Sequence, residues 1–411
     1  MNYPKVAIII LNYNGWKDTI ECLESVLRNN YPSYQVIVVD NGSQDNSIEY
    51  IKAWAEGKQK VLTPEPGHPL YNLSHPPVKK PIPYIYYTRE EAEKGGDFEL
   101  EEKLTKEWKK QRKSNNKELI PTSPYPLIFI QTGENLGFAG GNNVGMKYAL
   151  AKNDGEYIWL LNNDIVIKKN SLLEMIKVFQ MKKSIGVVGS KILRYYTANI
   201  LQVLCGTKKL TWKNAGEGKY LYPNRLINEV KCNDMFEING YIVGASMLIK
   251  KKVLHDIGLF DENYFMWAEE ADFCFRALKN NWNLFCACNS VVYHKEGGST
   301  GKDSVKKFFK KKSKRPSYTR FIITGYLDIR NHLYFVRKHF SIVYMYLYFI
   351  ILLPKLFRRV IGIVLFDDFK LKRISLLCKG IIDGFLNRMG KPKELKRWIK
   401  RKARKSKGLI K

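Results

Sequence analysis

No run of about 20 apolar residues, the length a helix needs to cross a bilayer, occurs in this 411-residue chain. Cysteine is sparse and unpatterned. The seven residues (Cys22, Cys205, Cys232, Cys274, Cys286, Cys288 and Cys378) include no C-x-x-C pair, so neither a zinc cluster nor a disulfide framework is expected, and a reducing compartment is the simpler inference. The N-terminus enters a strand-like run within five residues. It lacks the basic stretch, apolar segment and cleavage site of a secretory signal, so the body of the protein is expected in the cytoplasm. A G-x-G-x-x-G dinucleotide fingerprint is missing as well. Acidic residues are scarce at one end only: from Lys306 to Lys411 there are 30 Lys and Arg against 5 Asp and Glu, which leaves +5 of the net +30 for residues 1–305. The front portion therefore reads as a balanced globular domain with ample apolar residues for a core, and the back portion must face something anionic, a membrane surface or nucleic acid.

What is present in the front portion is an alternation of strands and helices. Val6 to Leu11 is a continuous apolar, β-branched run ending at Asn12-Tyr13-Asn14-Gly15; Trp16, Ile20, Leu23 and Leu27 follow at helical spacing, and Val36 to Val39 forms a second strand that stops at Asp40-Asn41-Gly42-Ser43. Residues 57–126, with prolines early and a charged helix-like piece around Glu99 to Gln111, interrupt the rhythm as an insertion or lid. It resumes with strand Leu127 to Ile130, a glycine-rich loop Gly133 to Gly141 opening a helix, and strand Tyr157 to Leu161, which ends on Asn162-Asn163-Asp164. This pattern predicts an α/β fold with a mostly parallel, Rossmann-like sheet covered on both faces. A carboxylate at the end of a core strand lies where such sheets bind ligands, although Asn-Asn-Asp alone reads equally well as a turn.

The back portion has a different character. Phe340 to Leu353 is 14 residues without a charge, and after Pro354, Lys355, Arg358 and Arg359 a second apolar piece runs from Val360 to Phe366. Neither piece is long enough to span. Tyr344, Tyr346 and Tyr348 between basic flanks suit helices lying in the membrane interface, and the basic tail from Lys391 to Lys411 would add to attraction for an anionic leaflet. A buried helical subdomain with a solvated basic face is the alternative.

Eight segments occur in the order seen in glycosyltransferase family 2, over residues 4–300 apart from the insertion. They are Ile8 to Gly15, Val38 to Asp45, Glu134 to Asn143, Leu161 to Asp164, Val243 to Leu248, Gly258 to Glu262, Glu269 to Cys274 and Val292 to His294. The sequence most resembles the family's rhamnosyltransferase-like branch. That resemblance implies a GT-A fold in a domain of residues 1–301; the composition of residues 302–411 adds the expectation of a basic helical region at the cytoplasmic face of the membrane. The resemblance also implies an inverting transfer of a sugar from a nucleotide diphosphate donor to a lipid-linked or surface glycan.

The same resemblance assigns roles to positions. Leu11, Asn12, Tyr13 and Asp40 would hold the nucleoside, and Asn135, Gly137, Asn142 and Asn163 would contribute to the donor site, with glycine letting the backbone approach closely. Asp164 would bind Mg²⁺ or Mn²⁺ at the diphosphate, with His294 completing the coordination; Asn162 stands where the family's D-x-D element has its first acid. Deprotonating the acceptor hydroxyl requires a carboxylate base, and the acidic cluster among aromatics supplies Glu270, with Glu269 and Asp272 beside it. Two readings compete: a nucleic-acid-binding protein working through its basic tail, in which no recognition module is found, and a non-catalytic relative of the transferases. Sugar, linkage and oligomeric state are not encoded in these motifs.

Overall fold

The computed structural model describes residues 3–114, 120–296, 322–366 and 370–392. Eleven strands form one sheet: β1 (Val6–Asn12), β2 (Tyr34–Asp40), β3 (Tyr84–Thr88), β4 (Leu127–Gln131), β5 (Tyr157–Asn162), β6 (Ile165–Ile167), β7 (Ile185–Arg194), β8 (Leu201–Val203), β9 (Met235–Glu237), β10 (Ser246–Lys250) and β11 (Asn283–His294). The main path runs β3-β4-β2-β1-β5-β10-β7-β11-β6, with β8 on β7 and β9 on β11. The first five strands of that path are parallel, as the alternation predicts. Beyond β5 the sheet is mixed: β10 is antiparallel to β5 and β7, β11 returns parallel to β7, and β6 is antiparallel to β11.

The pleat explains why the apolar strands show no polar alternation. Ile9, Ile37 and Leu160 belong to one core cluster and Ile8, Ile10 and Trp159 to the other, so each strand is buried on both faces. Register then delivers the polar strand ends together: Asn12 pairs with Asp40 across β1 and β2, and Leu11 pairs with Asn162 across β1 and β5.

The insertion is built into the sheet. β3 extends the β4 edge, and the helix Phe98–Ser114 follows it. Its earlier part packs where β1's helix emerges: Arg28 donates to the carbonyls of Ser74 and His75, and His68 stacks on Tyr195 at 4.5 Å.

One expectation is corrected. Cys232 and Cys288 form a disulfide, with Cys286 close by; they are 56 residues apart and meet only because β9 pairs with β11, so no local spacing revealed them. The two apolar pieces of the back portion belong to one helix, Ile342–Phe366, which runs through Pro354. Among the described residues, no helix is long and apolar enough to cross a membrane, because Lys355, Arg358 and Arg359 divide the apolar stretch.

The boundary expected at 301/302 falls outside the described residues. From Ile322 onward the chain packs on the front portion: Phe335, fully buried, belongs to the same cluster as Ile9 and Phe273. The basic tail from 393 to 411 also lies outside the described residues.

Candidate active site

At the carboxyl edge of the sheet the strand ends are cross-linked. Asn12 donates to Asp40 and to the Ser43 hydroxyl, both at 3.1 Å, while its carbonyl accepts from Thr19 at 2.9 Å. Asp40 accepts from the Ser43 amide at 2.8 Å, and burial pushes its carboxyl above the ordinary range against those hydrogen bonds. Leu11 and Tyr13 flank this pair and keep partial solvent contact. Asn41, which the motif reading passed over, joins the second strand to the glycine loop: it donates to the Gly137 carbonyl at 2.9 Å and accepts from the Leu136 amide at 2.9 Å. Asn135 accepts from the Gly137 amide at 2.8 Å.

Two asparagines face inward. The Asn163 side chain donates to Thr19 at 3.1 Å and to the Gly15 carbonyl at 3.3 Å, tying the β5 turn to the first helix. Asn142 donates to the Phe138 carbonyl one helical turn back. Its neighbour Asn143 bridges to Glu262 and the Phe260 backbone.

Asp164 and His294 are brought together by the antiparallel pairing of β6 with β11. The His294 Nε2 lies 3.2 Å from Asp164 Oδ1, and its Nδ1 meets Gln202 at 2.9 Å. Burial opposes protonation of the imidazole, but the Asp164 carboxylate outweighs it and the net shift is upward. The next residue, Lys295, donates its amide to the Asp164 carbonyl and places its ammonium 2.6 Å from Asp18 and 2.5 Å from Glu21. Opposed by burial but favoured by both carboxylates, that ammonium is held in its charged form. A lysine directly after the histidine was a readable signal; Asp18 and Glu21, inside an ordinary amphipathic helix, were not.

The acids at the start of the helix Glu269–Lys279 divide into two kinds. Glu269 is buried and Glu270 partly so, and in each the Oε2 has no hydrogen-bond partner among the described residues. Burial raises both carboxyls. The charge of Glu270 raises Glu269 further, and Glu269 hydrogen-bonds to Glu270 in the sense that keeps Glu270 ionised and Glu269 neutral. Asp272 is different. It receives Arg276 at 2.8 Å, Lys338 at 2.7 Å and His339 at 2.7 Å, and despite burial those partners drive its carboxyl far below the ordinary range. Its position in the acidic cluster suggested catalysis, but its oxygens bind the C-terminal helix Asp328–His339.

The donor-side loop touches the turn that precedes this helix. A Cβ on Gly137, whose φ is +79°, would lie 2.1 Å from the Phe265 carbonyl oxygen, so the glycine is required by both conformation and space. Asn162 donates its amide to the Ala245 carbonyl, and a Cβ on the adjacent Gly244 would sit 3.2 Å from Phe138 and 3.9 Å from the Glu270 Cβ. Strand ends, glycine loop and the paired glutamates thus border one edge.

The sequence profile described as Glycosyl transferase family 2 matches residues 7–65 and 111–257. The chain belongs to that family. The gap between the two matched stretches falls inside the insertion. The low-salt glycan biosynthesis hexosyltransferase Agl10 of Haloferax volcanii is 24% identical over 272 residues, 66% of this chain and 79% of that protein. The N-acetylglucosaminyl-diphospho-decaprenol L-rhamnosyltransferase of Mycobacterium tuberculosis is 33% identical over 64 residues, 16% of this chain and only 21% of its own length. The crystal structure of S. aureus TarS 1–349 superposes with a TM-score of 0.45 at 14% identity, covering 93% of this chain and 82% of that one. As a member of family 2, the protein is a glycosyltransferase using a nucleotide-sugar donor.

The paired glutamates predict a pH effect on stability. Glu269 is raised above its ordinary value of 4.5 in the fold, so the stability linked to its proton is present below that value and lost as pH rises through the raised one. Relative to the native chain, Glu269→Gln should therefore gain melting temperature as pH goes from about 4 to about 8. Parallel melting curves across that range would count against a neutral buried Glu269.

Proposed function

We propose that the protein transfers a sugar with inversion, Glu270 acting as general base, to a lipid-linked glycan precursor at an anionic membrane surface. The observation that carries this is the pair of glutamates, Glu269 buried and Glu270 partly so, whose Oε2 atoms have no hydrogen-bond partner among the described residues, at the sheet edge that also holds Asn12, Asp40 and Asp164. The acceptor oxygen attacks the anomeric carbon from the side opposite the diphosphate. Its proton passes to Glu270, and the bonding electrons of the departing sugar link go to the nucleoside diphosphate. A base whose pKa burial has raised toward neutrality suits this task better than a solvated carboxylate. Glu269, neutral, hydrogen-bonds to Glu270 and orients it. Trp267, half-exposed beside the pair, offers an apolar face for an acceptor sugar.

Asp164 and His294, a carboxylate and an imidazole in contact, would hold a divalent ion beside the donor diphosphate. Such an ion would neutralise charge on the leaving group. Substituting Asp164→Asn should weaken Mn²⁺ binding by about tenfold or more, measured by calorimetry with UDP present; unchanged Mn²⁺ affinity would remove Asp164 from the ligand set. Turnover of a panel of UDP-, dTDP- and GDP-sugars, with and without Mn²⁺, tests the transfer reading itself; a donor bound but never consumed would favour the non-catalytic one.

The membrane part rests on the helix Ile342–Phe366. Met345, Tyr348 and Leu352 face the protein, while Val343, Ile350, Phe357 and Leu365 are each 59% or more exposed. Together with Leu371 this apolar surface is flanked by Lys355, Arg358, Lys370 and Lys372, the composition of a helix seated in an anionic interface. The protein should sediment with phosphatidylglycerol vesicles, less so as salt rises, and Ile350→Asp with Phe357→Asp should release it. Recovery in the supernatant with both wild type and variant would overturn the membrane reading.

A further inference from the structure

The residues just before Glu269 adopt an unfavourable backbone. Phe265, Trp267 and Ala268 have φ of 64°, 70° and 72°, each positive and therefore strained for a residue that carries a side chain. A segment of this kind persists only where surrounding contacts over-determine it. Those contacts come from a place the sequence gives no reason to search, the helix Asp328–His339.

Asn331, fully buried, directs its amide group at three carbonyls of that segment: Tyr264 at 3.1 Å, Met266 at 2.9 Å and Trp267 at 2.8 Å. Two hydrogens are thus shared among three acceptors. Its own carbonyl accepts from Arg330 at 3.0 and 2.9 Å, which fixes which end of the amide faces the loop. Arg330, also fully buried, donates in turn to the Tyr264 carbonyl at 3.0 Å and to the Gly390 carbonyl at 2.7 Å. The same loop carries the Phe265 carbonyl that packs on Gly137 of the donor-side loop. One rigid turn therefore separates the glycine loop from the two glutamates, and its shape is set by Asn331.

We propose that Asn331, oriented by Arg330, is a positioning residue for the transfer reaction: it holds the Tyr264–Ala268 turn so that Glu270 is aligned with the acceptor hydroxyl over the donor. This rests on the reading of Glu270 as base. Misplacement of a reacting group by about 1 Å costs on the order of 100-fold in rate, whereas the nucleotide pocket, built from β1, β2 and the glycine loop, does not use Asn331.

The test compares the native full-length chain, Asn331→Ala, Glu270→Gln and the double variant, with the fastest-hydrolysed member of a UDP-, dTDP- and GDP-sugar panel as donor and water as acceptor. Asn331→Ala should lower kcat by about tenfold or more while the dissociation constant for UDP with Mn²⁺ shifts by less than about threefold. In the Glu270→Gln background the same change should cost less than about twofold, since both act on one step. Hydrogen exchange should rise in 263–268 and stay unchanged in β1, β2 and β5. A kcat within about twofold of native, nucleotide affinity lost in proportion to rate, full additivity in the double variant, or unaltered exchange in 263–268 would each overturn the proposal. Native activity in Glu270→Gln alone would instead remove the base, and the exchange measurement then decides whether Asn331 shapes the turn. If Asn331→Ala does not fold, Asn331→Ser, which keeps one donor, is read by the same criteria; if no donor in the panel is hydrolysed, hydrogen exchange in 263–268 decides by itself, a rise supporting the proposal and unaltered exchange overturning it.

Discussion

Glu270→Gln should reduce turnover of the nucleotide-sugar by about 10²- to 10⁴-fold while leaving nucleotide binding nearly intact. Glutamine keeps the size and one acceptor oxygen of the side chain but cannot take a proton from the attacking hydroxyl. Because Glu269 is the neutral member of the pair, Glu269→Gln should retain far more activity, its amide still able to hydrogen-bond to Glu270. The comparison of the two variants carries the weight. Equal losses would mean that the glutamates act as an undivided pair, and native-like kcat in Glu270→Gln would exclude it as the base. Release of nucleoside diphosphate and calorimetric titration with UDP measure the two quantities separately.

Cutting the chain after about residue 301 should abolish soluble, folded protein. The charge asymmetry alone suggests the reverse, a detachable basic anchor whose removal frees a nucleotide-binding domain. The structure gives two reasons against detachment. Phe335 is fully buried in the main core, and a truncation of this kind opens a cavity and exposes its lining, of which the loss of one buried Phe alone costs about 3–5 kcal/mol. Asp272, fully buried, would keep Arg276 and lose Lys338 and His339, leaving a buried carboxylate under-compensated. Expression of residues 1–301 with a measurement of solubility and melting decides this; a soluble fragment with native-like melting would show that the C-terminal helices are dispensable to the fold.

What the sequence made legible follows from how local each determinant is. Four strands of the parallel half, β1, β2, β4 and β5, could be read because each is a short unbroken apolar run, and the ends of β1, β2 and β5 because polar residues follow abruptly; β3, inside the insertion, could not. The reversal at β10 was hidden: Ser246–Lys250 looks like any other core strand, and its direction depends on the winding of residues 195–245. Asp164 and His294 were found as separate motifs, and only the β6–β11 pairing makes them neighbours. Asn163 and Asp272 stood in motif positions, yet their bonds to Thr19 and to His339 depend on long-range packing. Asn331 carried no signal at all, because a lone asparagine in a basic segment resembles solvated surface.

The short connection between His339 and Ile342 has a consequence for the choice of acceptor. His339 grips Asp272, two residues beyond Glu270, and only Phe340 and Ser341 separate it from the helix with the exposed apolar face. Three residue steps span at most about 10 Å. If that face lies in lipid as proposed, the paired glutamates would be tethered at nearly fixed height above the headgroups, and the enzyme would act as a ruler: a hydroxyl on the first sugars of a lipid-linked chain would come within its reach, and one at the end of a long glycan would pass above it.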